Sequence, residues 1–160
     1  MLMAMAKNKI FMAYDRFINK DFMHLRCPEA ADICTTIIKG YSLAFRGDDF
    51  RAMANIEPKK GGVIPVMLYS ISERDENEID CFIGFPKYYR KETFVTTIGG
   101  EPVYALAYVL NIMDRKTEEI RLLGLPHKSY LKTMREGYDM AGLDQKYIDD
   151  AVWSVNKMRL

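Results

Sequence analysis

Cysteine is scarce in this 160-residue chain, and none of the three is placed for obvious chemistry. Cys27, Cys34 and Cys81 form no C-x-x-C pair, and an odd count without a secretory leader reads as reduced thiols. Histidine is scarcer still. His24 and His127 lie far apart in sequence, so no zinc or other metal site is expected, and no cofactor is implied. A nucleophilic Cys81 would need one of those histidines as its base; the plainer reading is a small buried hydrophobe. An excess of one charge is also lacking, since 23 Lys and Arg face 22 Asp and Glu for a net +1. Such balance supplies neither a field for nucleic acid nor a polybasic membrane patch. The local basic run from Lys87 to Lys91 reads as a solvated strand edge. Met1, Met3 and Met5 are followed by Lys7 and Lys9 rather than by an apolar leader, and read as alternative starts or a cloning remnant. No apolar span of ~20 residues occurs. The chain is therefore expected to be cytoplasmic, with no membrane partner. Repeats, low-complexity tracts and long linkers are missing too, which leaves one domain over residues 9–158 after a flexible N-terminus, residues 1–8.

What is present is ordinary globular material, 49% hydrophobic and 28% charged. Lys9 to Tyr14 is a short apolar run and predicts a buried strand. Asn19 can cap a helix carrying Phe22, Met23 and Leu25, ended by Pro28. Thr35 to Ile38 leads to Gly40, after which Tyr41 to Phe45 alternates like a half-buried strand. Arg46 to Asp49 reads as a turn, Ala52 to Ile56 as a strand, and Pro58 to Gly62 as the clearest turn in the chain. Val63 to Ile71 follows as a strand, with Pro65 suggesting an edge or a bulge. Ser72 to Asp75 resembles a capping box opening a helix that presents Ile79, Phe82 and Ile83 on one face, with Gly84 as its left-handed exit. Tyr89 to Ile98 and Pro102 to Asn111 flank a Gly99-Gly100 hairpin turn. His127 or Ser129 opens a helix carrying Tyr130, Met134 and Tyr138, and Asp144 caps a last one burying Ile148, Ala151 and Val155, with Tyr147, Val152 and Trp153 alongside. Strands in the middle with flanking helices predict an α+β fold around a closed or nearly closed sheet.

The order of several landmarks resembles the gamma-glutamyl cyclotransferase-like family, in its bacterial and phage-type branch. The first strand runs into Tyr14-Asp15-Arg16-Phe17-Ile18 where that family has Tyr-Gly-Ser-Asn-Leu. Arg26-Cys27-Pro28, Gly40-Tyr41 with Phe45-Arg46-Gly47, Ala54 to Pro58, Gly61 to Val66, Ala107-Tyr108 and Glu136-Gly137-Tyr138 follow in order. The run Ile79-Asp80-Cys81-Phe82-Ile83-Gly84-Phe85-Pro86-Lys87-Tyr88-Tyr89-Arg90 matches the family's Leu-Asp-x-x-Glu-Gly-x-Pro-x-x-Tyr signature. The resemblance spans roughly residues 9–155. It implies a small mixed β-barrel with flanking helices and a C-terminal helical segment, its pocket opening beside the first loop and the start of the helix carrying Ile83.

Relatives of this kind expel 5-oxoproline when a glutamyl amine attacks its own γ-carbonyl. The route needs loop N–H donors to hold the anionic end of the glutamyl group, and a carboxylate to move a proton. Both are altered here. Ile83 occupies the acid/base slot, so no catalytic residue is assigned. Asp15 replaces the loop glycine and sets a negative charge where an anion would dock, although Asp tolerates left-handed backbone. Arg16 replaces the serine and either neutralises Asp15 or grips an anionic ligand; Phe17 replaces the asparagine. The resemblance places Tyr14, Asp15, Arg16, Phe17, Ile18, Ile83, Gly84, Tyr89 and Tyr108 around the pocket. A positioned acid/base is worth about 10²–10⁴-fold, roughly 3–6 kcal/mol of barrier. Glu57, Asp80 and Glu101 could substitute only if the fold carries one into the pocket, and Asp80 already belongs to the family's own run.

Three functional classes follow. The first, and the leading one, is a pseudoenzyme that binds a small anionic or amino-acid-derived ligand, or a protein, as an accessory or inhibitor of the kind phages and mobile elements carry. The second is a divergent cyclotransferase acting on gamma-glutamyl-amine substrates through a relocated carboxylate. The third is a structural subunit of an oligomer or larger assembly.

Overall fold

A computed structural model describes residues 8–113 and 120–158 of the chain. The expected flexible N-terminus therefore lies, apart from Asn8, outside the described residues. The elements are β1 (Lys9–Ala13), a 3-10 turn (Arg16–Ile18), α1 (Lys20–Arg26), β2 (Ala31–Arg46), β3 (Met53–Ile71), α2 (Glu73–Ile83), β4 (Tyr89–Ile98), β5 (Glu101–Leu110), α3 (Lys128–Met140) and α4 (Lys146–Lys157). This is the α+β architecture the sequence predicts.

The five strands form one mixed sheet in the order β2-β3-β1-β5-β4. β1 runs antiparallel to β3 and parallel to β5, so it is paired on both sides. Its continuous apolar run fits that central place, because both of its faces are covered. Phe11, Met12 and Ala13 are buried accordingly. The two outer strands then approach each other. Thr96 Oγ1 on β4 donates to the Ile37 carbonyl on β2 at 3.3 Å, and the Tyr41 and Phe94 rings meet edge to face at 5.3 Å. The sheet is thereby rolled nearly shut around a core that includes Tyr69, Phe45, Leu68 and Leu110.

Two expected interruptions are absent. Gly40 does not separate two strands, for β2 runs unbroken over sixteen residues. Pro58 to Gly62 does not reverse the chain either. Lys39 pairs with Val63 and Tyr41 with Pro58, so residues 59–62 bulge out opposite Gly40 while β3 continues on both sides. A Cβ at Gly62 would collide with the Tyr41 carbonyl oxygen, so this close backbone approach requires glycine. Pro65 is tolerated in β3 because β1 pairs only with Met67 to Ile71, which leaves Pro65 opposite β2 alone.

The helices start where their caps predict. Asn19 Oδ1 accepts from the Phe22 N–H at 3.1 Å and opens α1. Ser72 and Asp75 form a reciprocal capping box on α2, and Gly84 closes it in the left-handed region at φ 78°. His127 Nδ1 accepts from the Ser129 N–H at the head of α3. Asp144 accepts from the Lys146 N–H at 2.8 Å, although the cap position of α4 itself is Gln145. Phe82 and Trp153 depart from expectation, being 38% and 62% exposed rather than core residues. Cys81 is exposed as well, not a buried hydrophobe, because it lies on the outer side of α2 from buried Ile79. No helix among the described residues is long and apolar enough to cross a membrane.

Candidate functional site

The candidate site lies where the central strand ends. A small cavity there is lined by Phe11 and Met12 of β1, by Tyr14, Asp15 and Phe17 of the following loop, by Ile83, and by Tyr108 of β5. Ile83 is the last residue of α2, so the pocket sits at the end of that helix and not at its start. The cavity is partly open and its volume is about 10 Å³, at the lower edge of the roughly 10–15 Å³ that one water molecule occupies.

The loop after β1 satisfies its own donors. Asp15 Oδ1 accepts from the Phe17 N–H at 3.0 Å. The Ile18 and Asn19 N–H groups donate to the carbonyls of Asp15 and Arg16 at 3.0 and 2.9 Å. Asp15 is the carboxylate that lines the cavity, and burial raises its pKa above the ordinary value, more than the Phe17 N–H and the Arg16 charge lower it.

The tyrosines form a second layer. Tyr14 Oη donates to the Tyr108 carbonyl, and burial raises its pKa well above the usual tyrosine range. Tyr108 Oη donates to Asp80 Oδ1, and burial followed by that carboxylate keeps its phenol protonated. Lys91 Nζ lies 2.8 Å from both Asp80 Oδ2 and Glu76 Oε2, and Lys9 Nζ lies 2.8 Å from Glu76 Oε1. This Lys9–Glu76–Lys91–Asp80–Tyr108 chain ties β1, α2, β4 and β5 together beneath the cavity. Lys91 is thus engaged in two ion pairs, which corrects the view of Lys87 to Lys91 as a solvated edge; Tyr89 in the same run is buried. The net effect on Glu76 is a lowered pKa, the two lysines outweighing its burial.

Of the nine residues expected around a pocket, Tyr14, Asp15, Phe17, Ile83 and Tyr108 line this cavity. The other four are placed differently. Arg16 points its guanidinium over the rings of Phe22, Phe82 and Tyr130. Ile18 is buried in the core, Tyr89 Oη donates to Met53 Sδ at 3.4 Å, and Gly84 lies under the Tyr88 ring. Phe11 and Met12 line the cavity without having been singled out. Both faces of a central strand are buried, so alternation along β1 carries no signal for which side chain faces a hollow.

None of the three candidate replacement carboxylates lines the cavity. Glu57 is gripped by both Arg46 Nε and Nη2, at 2.6 and 2.8 Å, and accepts from Asn55; burial raises its pKa but these contacts lower it overall. Asp80 is saturated by Tyr108 and Lys91, and Glu101 is exposed at the hairpin that opens β5. Among the described residues no three His, Cys, Asp or Glu side chains are grouped as metal ligands.

A family model described as "Gamma-glutamyl cyclotransferase, AIG2-like" matches residues 12–132 of the chain. No curated protein matches it in sequence. Among solved structures, the chain is similar to a gamma-glutamyl cyclotransferase at 18% identity and a TM-score of 0.75, over 90% of this chain and 86% of that one. It is similar to an uncharacterized protein from Homo sapiens at 18% identity and a TM-score of 0.72, over 91% and 86% of the two chains. YkqA from Bacillus subtilis shares 15% identity at a TM-score of 0.71, over 93% of this chain and 54% of that one. At these identities the likeness is one of fold.

Proposed function

The chain belongs to the gamma-glutamyl cyclotransferase, AIG2-like family, and from that premise we propose that it retains the family pocket for binding while lacking the family's proton-transfer chemistry. One observation carries the reading: the aliphatic side chain of Ile83 forms the cavity wall at the slot where the resemblance expects a glutamate. An alkyl group neither takes a proton from an attacking amine nor returns one to a leaving amine. The loop supports the same conclusion, since the Asp15 carboxylate already holds the Phe17 N–H that a ligand anion would seek. Tyr14, Asp15, Phe17, Ile83 and Tyr108 are the proposed contacts for a small anionic or amino-acid-derived ligand. The cavity as it stands is partly open and holds about one water, so such a ligand needs more room than this arrangement gives. An accessory or inhibitory role of the kind phages and mobile elements carry is the same reading with a protein as the larger partner, which a pull-down retained at high salt would identify.

A second reading has its own observation, namely that a carboxylate with raised pKa, Asp15, does line the cavity. In that case Asp15 would be the relocated acid/base acting on gamma-glutamyl amines. Incubation with gamma-glutamyl amino acids and gamma-glutamyl amines separates the two. The first reading expects no 5-oxoproline above background, together with calorimetric binding of at least one such compound, weakened in Tyr108→Phe. Release of 5-oxoproline that disappears in Asp15→Asn would establish the second and overturn the first.

A further inference from the structure

Two half-buried arginines beside the site loop share one pair of aromatic rings. Arg16, in the 3-10 turn, and Arg26, the last residue of α1, both place their guanidinium carbons within 5.4 Å of the centroids of Phe22 and Phe82. Arg16 also lies 4.4 Å from the Tyr130 ring of α3. The arrangement follows from helix geometry, because Phe22 and Arg26 are one turn apart on the same face of α1. None of these residues lines the cavity. Phe17, which does, packs edge to face against Phe22 and Phe82 at 5.1 and 5.8 Å and so divides the cavity from the arginine pair.

The charge balance here is unusual. Among the described residues the arginines in ion pairs are Arg46, Arg90 and Arg135; Arg16 and Arg26 have no carboxylate within pairing distance. The one side-chain hydrogen bond of the pair is a long one, 3.4 Å, from Arg26 Nη1 to the Phe22 carbonyl. Most of the ten N–H donors of the two forks therefore have no protein acceptor, while two like charges meet across shared rings. Burial and then the neighbouring Arg16 charge lower the Arg26 pKa, with exposed Glu78 acting weakly in the opposite direction. Cation–π contact explains why each guanidinium lies on a ring, but not why two of them converge with Asp15 and Glu78 acting only through space and no carboxylate in ion-pair contact.

We propose that Arg16 and Arg26 form a binding site for a tetrahedral dianion, a phosphate or the phosphate of a monoester, on the side of the Phe17–Phe22–Phe82 cluster away from the cavity. Two guanidinium forks match the charge and the paired oxygens of such a group. The part-exposed Phe82 ring, with Phe22 beside it, offers an apolar surface to the ester's organic portion. The site does not depend on the cavity reading, and its failure would leave that reading untouched.

The test is calorimetric titration of the full chain with inorganic phosphate and with phenyl phosphate, at ionic strength held constant with chloride. Arg16→Gln, Arg26→Gln and, as a control, Arg74→Gln on the exposed side of α2 are titrated alongside. Phosphate is expected to bind, phenyl phosphate to bind more tightly, and each of the first two variants to weaken binding by at least about tenfold, with the control unchanged. Free phosphate binding as well as the ester would assign the site to phosphate itself rather than to a monoester. Low-salt melting adds a readout of opposite sign for a purely structural role. Relief of the like-charge contact raises the midpoint of ligand-free Arg26→Gln, whereas loss of mere packing lowers it. No binding by the parent chain at millimolar phosphate, or undiminished binding by both glutamine variants, would overturn the proposal. Should a glutamine variant not fold, Arg26→Lys keeps the charge while removing the fork, and binding equal to the parent would count against the site in the same way.

Discussion

Asp15 is pulled two ways. The Phe17 N–H that it accepts favours its ionised form, while burial favours the protonated one and prevails, so its pKa lies above the ordinary carboxylate value. A folded state that holds a proton more tightly than the unfolded chain loses stability as pH rises through that range. Asp15→Asn keeps an acceptor for Phe17 and removes the charge. It is expected to melt above the parent at pH 7, with the difference vanishing below the carboxylate range where Asp15 is itself neutral; thermal melts at the two pH values check this. Ile83→Glu is the converse case. Setting a carboxyl into an apolar wall next to Asp15 is expected to cost about 1–3 kcal/mol in denaturant unfolding, and to release no 5-oxoproline unaided. Ile83 was legible in the sequence because a glycine and a proline after it pin the motif's register. The placement of Arg16 was not, since its aromatic partners come from α1, α2 and α3 and no local pattern joins them.

Elements bounded by caps were readable, and elements interrupted by turn-forming residues were not. Ser72 and Asp75 announce α2, and Ser72→Ala is expected to cost about 1 kcal/mol by chemical denaturation, since the Asp75 N–H loses its acceptor, the Ser72 hydroxyl, while the Ser72 N–H can still donate to the Asp75 carboxylate. Pro58 to Gly62 brings together a proline and two glycines, the strongest turn-formers. Tertiary pairing overrides that preference, because the ladder resumes at Pro58 opposite Tyr41 and the excess residues simply bulge. Packing overrides local preference again at Gly137 of α3. In an exposed helix Gly→Ala would stabilise by about 1 kcal/mol. Here the new Cβ would come within 2.6 Å of the Asn19 N atom, the cap of α1. Gly137→Ala is therefore expected to destabilise by roughly 1–3 kcal/mol in urea and to loosen the loop that carries Asp15.

For the molecule as a whole, class and near-closure followed from strand-rich patterning, but strand order did not. Nothing local in Lys9 to Ala13 announces that its neighbours will be β3 and, in parallel, β5. We propose residues 9–158 as one cooperative unit. Its expected signature is a single transition in which the fluorescence of Trp153 on α4 and the near-ultraviolet signal of the core tyrosines change together; separated midpoints would divide the chain. The central place of β1 also fixes an order of events at the ribosome. β1 emerges before both of its partners and can pair with β3 early, yet its other edge stays open until Glu101 to Leu110 has been made. The nascent chain therefore carries an unpaired apolar edge through most of its synthesis, and closure of the sheet, a contact of long sequence separation, is the step that ends its exposure to misassembly.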